Sequence, residues 1–76
     1  MPRQPVVNGR EIIRALQRAG FVIDRQNGSH VVLISQDGER EASVPRHGGR
    51  DLPVGTVRGI IKDAGVTVEE FRRLLQ

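Results

Sequence analysis

The chain has 76 residues and no cysteine, which predicts one small domain held together without disulfides or thiolate metal sites. Its 12 lysines and arginines against 9 carboxylates give a formal net charge of +3, an excess that fits phosphate binding but also ordinary surface solvation. No apolar run reaches the ~18 residues that span a bilayer, and the N-terminus lacks the apolar segment of a secretory signal. A cytoplasmic protein without membrane contact is therefore expected.

The first predicted element is an amphipathic helix at roughly residues 9–19, preceded by a short N-terminal arm, residues 1–7. Asn8 and Glu11 occupy the positions of a capping box, and Gly20 is suited to end the helix in a left-handed conformation. Apolar residues at helical spacing form one side, and arginines four residues apart form a basic stripe on the other. The apolar side is Ile12, Ile13, Leu16 and Ala19, and the stripe is Arg10, Arg14 and Arg18.

Three short strands are predicted next. Asn27-Gly28 predicts a type I′ hairpin turn between the first two, because both central residues of that turn need positive φ. A second turn follows at residues 36–38, and Pro45 ends the last strand because proline has no N–H for the ladder. The predicted strands are residues 21–26, 29–35 and 39–44.

Strand alternation indicates which side chains share a face. In the first strand it separates Phe21, Ile23 and Arg25 from Val22, Asp24 and Gln26. In the second strand it separates His30, Val32 and Ile34 from Val31 and Leu33. Both sides of the second strand are apolar, so the pattern does not tell which one packs against the helices.

The last third of the chain predicts a loop and two helices. Residues 46–55 hold three glycines and a proline, and so form a loop. Apolar residues from Val57 to Ala64 predict a second helix that Gly65 ends, and Thr67 with Glu70 forms the capping box of a third. The order α-β-β-β-α-α indicates an α+β fold in which helices cover one face of a three-stranded antiparallel sheet, leaving the other face open.

The candidates for chemistry are two histidines. The chain contains no P-loop, no G-x-S-x-G elbow and no metal-ligand spacing, so no cofactor or metal is expected. Histidine ordinarily titrates near pH ~6.5 and can exchange protons at neutral pH. His30 follows a tight turn at the start of the central strand, although a surface histidine without a role fits the pattern too. His47 lies in a glycine-rich loop with arginines nearby, which favours a phosphate contact or a solvated side chain.

Several short motifs recur together along the chain: Gly20-Phe21, Gly28-Ser29-His30, residues 44–49, Leu52, Gly55-Thr56, Arg58, Ile60-Ile61, Ala64-Gly65 and Glu70-Phe71. With this ordered set the chain resembles one family, the HicA toxins, over about residues 9–72. The resemblance implies a fold like the double-stranded-RNA-binding domain and metal-independent cleavage of mRNA. It also implies a HicB-type antitoxin as partner, through which any DNA contact would be made. The family's catalytic histidine belongs to the Gly-Ser-His motif, here His30.

The hypothesis that follows is an endoribonuclease in which His30 takes the proton of a ribose 2′-hydroxyl. The expected substrate-binding residues are Ser29, Arg46, His47 and Arg50, with Lys62 as a further cation for the phosphoryl oxygens. One alternative is a non-catalytic RNA-binding module of the same fold, which needs the arginines but not His30. Another is a protein-interaction domain whose basic surface exists for an acidic partner.

Overall fold

The computed structural model describes residues 6–46 and 48–76, so residues 1–5 of the predicted arm and His47 lie outside the described part. The expected α+β fold is confirmed: three antiparallel strands, arranged in the sheet in chain order, carry helices on one face. None of the described helices is long and apolar enough to cross a membrane. The elements are α1 (Gly9–Arg18), β1 (Val22–Asn27), β2 (His30–Ile34), β3 (Glu41–Pro45), α2 (Val54–Ala64) and α3 (Val68–Leu74).

Helix α1 begins at Gly9, as predicted, and ends at Arg18, one residue before the predicted end. The Asn8 side chain accepts from the Glu11 N–H at 3.0 Å, and the Glu11 carboxylate accepts from the Asn8 N–H at 3.0 Å. Gly20, just past the helix, has φ of 99°, a conformation that glycine adopts without strain. A Cβ at Gly9 would collide with the carbonyl oxygen of Pro45, so this glycine lets the first turn of α1 lie against the end of β3.

The two faces of the sheet have different environments. Val31 and Leu33 of β2 belong to the buried core together with Ala42 and Val44 of β3 and the apolar sides of the helices. His30 lies on the opposite face, which no described helix covers. The structure thereby decides the question that the apolar pattern on both sides of β2 had left open.

The β1–β2 turn differs from the type I′ prediction. Asn27 pairs with His30, so Gly28 and Ser29 form the two-residue loop, and of the two only Gly28 has positive φ, at 63°. Positive φ at the first central position alone matches a type II′ turn. The Asn27-Gly28 turn would shift the register and place the carboxylate of Asp24 opposite Val31, on the helix-covered face. Burial of the apolar face therefore overrides the local turn signal.

A β-bulge at Asp24 changes the faces of the following residues. The register shifts between Ile23 and Arg25, so Ile23 lies opposite Leu33 while Arg25 lies opposite Val32 on the open face. The simple alternation predicted for this strand, which grouped Ile23 with Arg25, is therefore wrong. The bulge takes up one residue and returns Gln26 to the face of Ile23.

The turn between β2 and β3 contains a side-chain network. Asp37 accepts from the Ser35 hydroxyl at 2.6 Å and from the Glu39 N–H at 3.0 Å. These hydrogen bonds lower the pKa of the Asp37 carboxyl below its ordinary value, and the bond from Ser35 has the larger effect. The predicted turn is thus closed by a carboxylate as well as by Gly38, whose φ is 75°.

The C-terminal helices follow the sequence prediction with one difference. Helix α2 begins at Val54, inside the predicted loop. Its N-cap is Pro53, which makes no side-chain capping bond, so the sequence contains no capping residue from which this start could be predicted. Gly65 ends α2 with φ of 74°, and the capping box of Thr67 and Glu70 starts α3, as expected. Phe71 of α3 is fully buried in the core.

Candidate functional site

His30 is the first residue of the central strand and is exposed on the open face of the sheet. It lies directly between Asn27 of β1 and Pro45 of β3, so paired backbone holds it on both sides. The tight Gly28-Ser29 turn precedes it. The fold therefore presents the imidazole on a rigid strand end rather than on a loop.

Ser29 and Arg46 are brought together next to His30. The Arg46 N–H donates to the Ser29 carbonyl oxygen at 2.6 Å, which continues the β2–β3 pairing by one step beyond His30 and Pro45. The Arg46 side chain, however, lines a cleft on the helix-covered side. The backbone of Arg46 is thus hydrogen-bonded to the residue before His30, whereas its guanidinium lies on the other side of the sheet.

That cleft lies between α1 and β1 and has a volume of about 270 Å³. Three guanidinium groups line it, those of Arg10, Arg14 and Arg46. The cleft exists because β1 lies at the edge of the sheet, where α1 leaves its helix-side surface partly uncovered. The other lining side chains are the amides of Gln17 and Gln26 and the apolar groups of Ile13, Ile23 and Val31.

The remaining predicted cations lie apart from this cleft. Arg50 lines a separate depression with Asp51, Leu52 and Pro53. Lys62 is exposed in the last turn of α2, and therefore lies on the helix-covered side of the sheet. His47 falls outside the described residues, so its predicted phosphate contact stays a prediction.

Arg25 is the basic residue on the face of His30 that sequence reasoning missed. It lies opposite Val32, which is two residues from His30 on the same face. Its guanidinium contacts Asp24 at 2.6 Å and Glu41 of β3 at 3.7 Å, so the second ion pair crosses β2. Val32 itself is only 6% exposed although it lies on the open face. Arg25 was missed because the bulge at Asp24 moves it to the face of His30, and strand alternation in the sequence does not reveal a bulge.

The predicted arginine stripe of α1 divides into two parts. Arg10 and Arg14 line the cleft, whereas Arg18 donates to the carbonyl oxygens of Leu74 and Gln76, at 2.6 and 2.8 Å. Spacing along one helix cannot predict this division because the position of α3 is decided by tertiary packing. Arg18 is therefore a structural contact between the first and last helices.

The sequence matches a known protein family. The family model described as the HicA toxin of bacterial toxin–antitoxin systems matches residues 9–66 of the 76. No curated protein gives a significant match. The matched range runs from the start of α1 to just beyond the end of α2, and so contains His30 and all of the described residues that line the cleft. The chain belongs to the HicA toxin family of bacterial toxin–antitoxin systems, and its biological role is that of a toxin paired with an antitoxin.

Proposed function

We propose that this toxin is an endoribonuclease that cleaves mRNA, with His30 as the catalytic base. The observation that carries the proposal is the placement of His30, exposed on the open sheet face and held between two paired strands. An exposed imidazole at the end of a paired strand is accessible to a bound ribose.

The proposed reaction needs only the RNA, the protein and water. His30 accepts the proton of a ribose 2′-hydroxyl, and the oxygen forms a bond to the adjacent phosphorus. The bond from phosphorus to the 5′-oxygen breaks, that oxygen takes up a proton from water as it leaves, and His30 returns its proton to the solvent. The products are a 2′,3′-cyclic phosphate and a 5′-hydroxyl. Because the nucleophile is tethered next to the phosphorus, positioning supplies much of the rate.

Basic side chains on both sides of the sheet support this reaction in different ways. Arg25, on the face of His30, is placed to stabilise negative charge on the phosphoryl oxygens by exchanging its exposed ion pairs for a phosphate. Arg46 and Arg50, with Ser29 and His47, are assigned to binding the nucleotides that flank the cleaved bond. Phosphate contacts of this kind hold the strand without reading its sequence.

The antitoxin partner that we propose is of the HicB type. An antitoxin that occupies the open face over His30 would block access of RNA to the catalytic base. Contacts of the pair with DNA are assigned to the antitoxin.

The decisive test replaces His30. We expect His30→Ala and His30→Gln to reduce cleavage of a long single-stranded RNA by about 10²–10⁴-fold, the usual contribution of positioned proton transfer. Glutamine keeps polarity and approximate size but cannot exchange protons near neutral pH, so it serves as the conservative variant. The reactions are run in EDTA, and thermal unfolding of each variant checks the fold.

Two controls make the result specific. RNA carrying 2′-O-methyl groups should resist the wild-type protein, because the nucleophilic hydroxyl is blocked. His30→Gln activity within about tenfold of wild type would remove His30 from the catalytic role. Wild-type protein that shifts RNA in a gel without cleaving it would instead identify a non-catalytic RNA-binding module.

A further inference from the structure

We propose that the cleft between α1 and β1 binds the sugar–phosphate backbone of single-stranded RNA next to the cleaved bond. The inference rests on the proposed ribonuclease function and adds the surface that holds the strand. The cleft lies on the side of the sheet opposite His30, so it is a binding site distinct from the catalytic face.

The charge of the cleft is positive and uncompensated. Arg10, Arg14 and Arg46 line it, and no carboxylate is among the described residues that line it. Within residues 6–46 and 48–76, the ion pairs are formed by Arg25 and Arg73 and leave the three cleft arginines out. Guanidinium groups match phosphate oxygens in a bidentate geometry. The cleft therefore attracts a phosphate chain.

Two of these arginines are unfavourable for the helix that carries them. Arg10 lies in the first turn of α1, where the helix dipole disfavours a positive charge. Arg10 and Arg14 are four residues apart, so their charges also repel each other on one face of the helix. A bound phosphate relieves both effects. Local helix stability thus gives no reason for this pair, whereas a polyanionic ligand does.

The remaining surface of the cleft suits a nucleotide unit. Val31 is buried beneath it, Ile23 is 49% exposed at its edge, and Gln17 and Gln26 add amide donors and acceptors. An apolar surface contacts the faces of bases and riboses, and amides hydrogen-bond to base edges. The volume of about 270 Å³ is just below the ~300 Å³ lower limit of small-molecule sites, so the cleft can receive only a small part of a strand.

The cleft reaches the end of the sheet at which His30 lies. Gln26 and Val31 line the cleft, and the next residues toward the hairpin, Asn27 and His30, are paired on the opposite face. A flexible strand that leaves the cleft around the β1–β2 hairpin arrives at His30. The cleft is accordingly assigned to nucleotides beside the bond that His30 acts on.

The test measures binding separately from cleavage. In a His30→Ala background, which keeps the RNA intact, we measure the anisotropy of a fluorescent single-stranded RNA over a range of salt concentrations. We expect the added pair Arg10→Ala and Arg14→Ala to weaken binding by about tenfold. The slope of log K against log salt should lose about 0.7 for each phosphate contact removed, hence about 1.4 for the pair.

Matched variants separate charge from structure. Arg10→Lys with Arg14→Lys keeps the charge and should preserve the salt slope, although affinity falls because the guanidinium fork is lost. Arg72→Ala, the same change at an exposed position of α3, should leave affinity and slope as they were. Circular dichroism and the melting temperature verify that each variant is folded.

Each outcome bears on one of the two proposals. Unchanged affinity and salt slope in the Arg10 and Arg14 double alanine variant would overturn the cleft assignment. Loss of antitoxin binding with RNA binding intact would overturn it too, and would make the cleft a protein interface. Loss of RNA binding in this variant, in a protein whose wild type fails to cleave RNA, would support the cleft while refuting the ribonuclease.

Discussion

Gly28 holds the turn that precedes His30 through its backbone conformation alone. Its φ is 63°, and a Cβ built there meets no other heavy atom within 4 Å. Any cost of a side chain at this position therefore comes from the left-handed backbone and not from a collision. Gly59 offers the contrast: a Cβ there is equally unobstructed, but the residue lies inside α2 with ordinary helical geometry.

The matched pair Gly28→Ala and Gly59→Ala should change stability in opposite directions. Gly28→Ala is expected to lower the free energy of unfolding by about 1–2 kcal/mol, because alanine resists positive φ. Gly59→Ala is expected to raise it by about 0.5–1 kcal/mol, because alanine loses less backbone entropy in a helix. Urea unfolding followed by circular dichroism measures both. A stable Gly28→Ala protein would mean that the turn readily adopts another conformation.

At the scale of elements, α3 depends on its neighbours. It has seven residues, far fewer than the ~12–15 that an isolated helix needs in water. Three features stabilise it in place of length. They are its capping box, the buried Phe71, and the hydrogen bonds from Arg18 to the carbonyl oxygens of Leu74 and Gln76. The arginine also places positive charge at the C-terminal end of α3, where the helix dipole favours it.

Removing this contact should loosen α3 selectively. Arg18→Ala is expected to cost about 1 kcal/mol of stability, a modest loss because the bonds are solvent-exposed. Amide hydrogen exchange in α3 should accelerate more than exchange in β2. Arg14→Ala, the same change one turn earlier on α1, is the control and should leave α3 protected. Equal exchange in the two variants would show that the Arg18 bonds contribute nothing to holding α3.

At the scale of the whole molecule, the core extends beyond the residues that the family model matches. The match ends at residue 66, yet Phe71 is fully buried and belongs to the same core as Ile12, Leu33 and Ile60. In a domain of this size the total free energy of unfolding is expected to be about 4–11 kcal/mol. One aromatic side chain is then a large fraction of the total.

Phe71→Ala should therefore destabilise the entire domain and not only α3. The expected loss is about 3–5 kcal/mol, from lost burial and the cavity left behind. Phe71→Leu, which keeps most of the volume, should cost less. Urea unfolding should remain a single transition at a lower midpoint. Two separate transitions would show that α3 unfolds independently of the sheet and the other helices.

Much of the fold could be predicted from the sequence because its signals are local. A capping box at Asn8, another at Thr67, and glycines at the ends of α1 and α2 act within a few residues, and all are found where predicted. The order of helices and strands follows from the spacing of apolar residues. The short motifs around His30 and in the following loop resemble one family, and the family match confirms that resemblance.

The tertiary structure alone decided which side chains share a surface. Because one face of the sheet is buried, His30 lies on the opposite face and the turn forms at Gly28-Ser29 instead of Asn27-Gly28. A bulge at Asp24 brings Arg25 to the face of His30. It also divided the arginines of α1 between a cleft and a contact with α3. These outcomes depend on residues distant in sequence, since a strand or helix presents several faces and only packing selects the one that is buried.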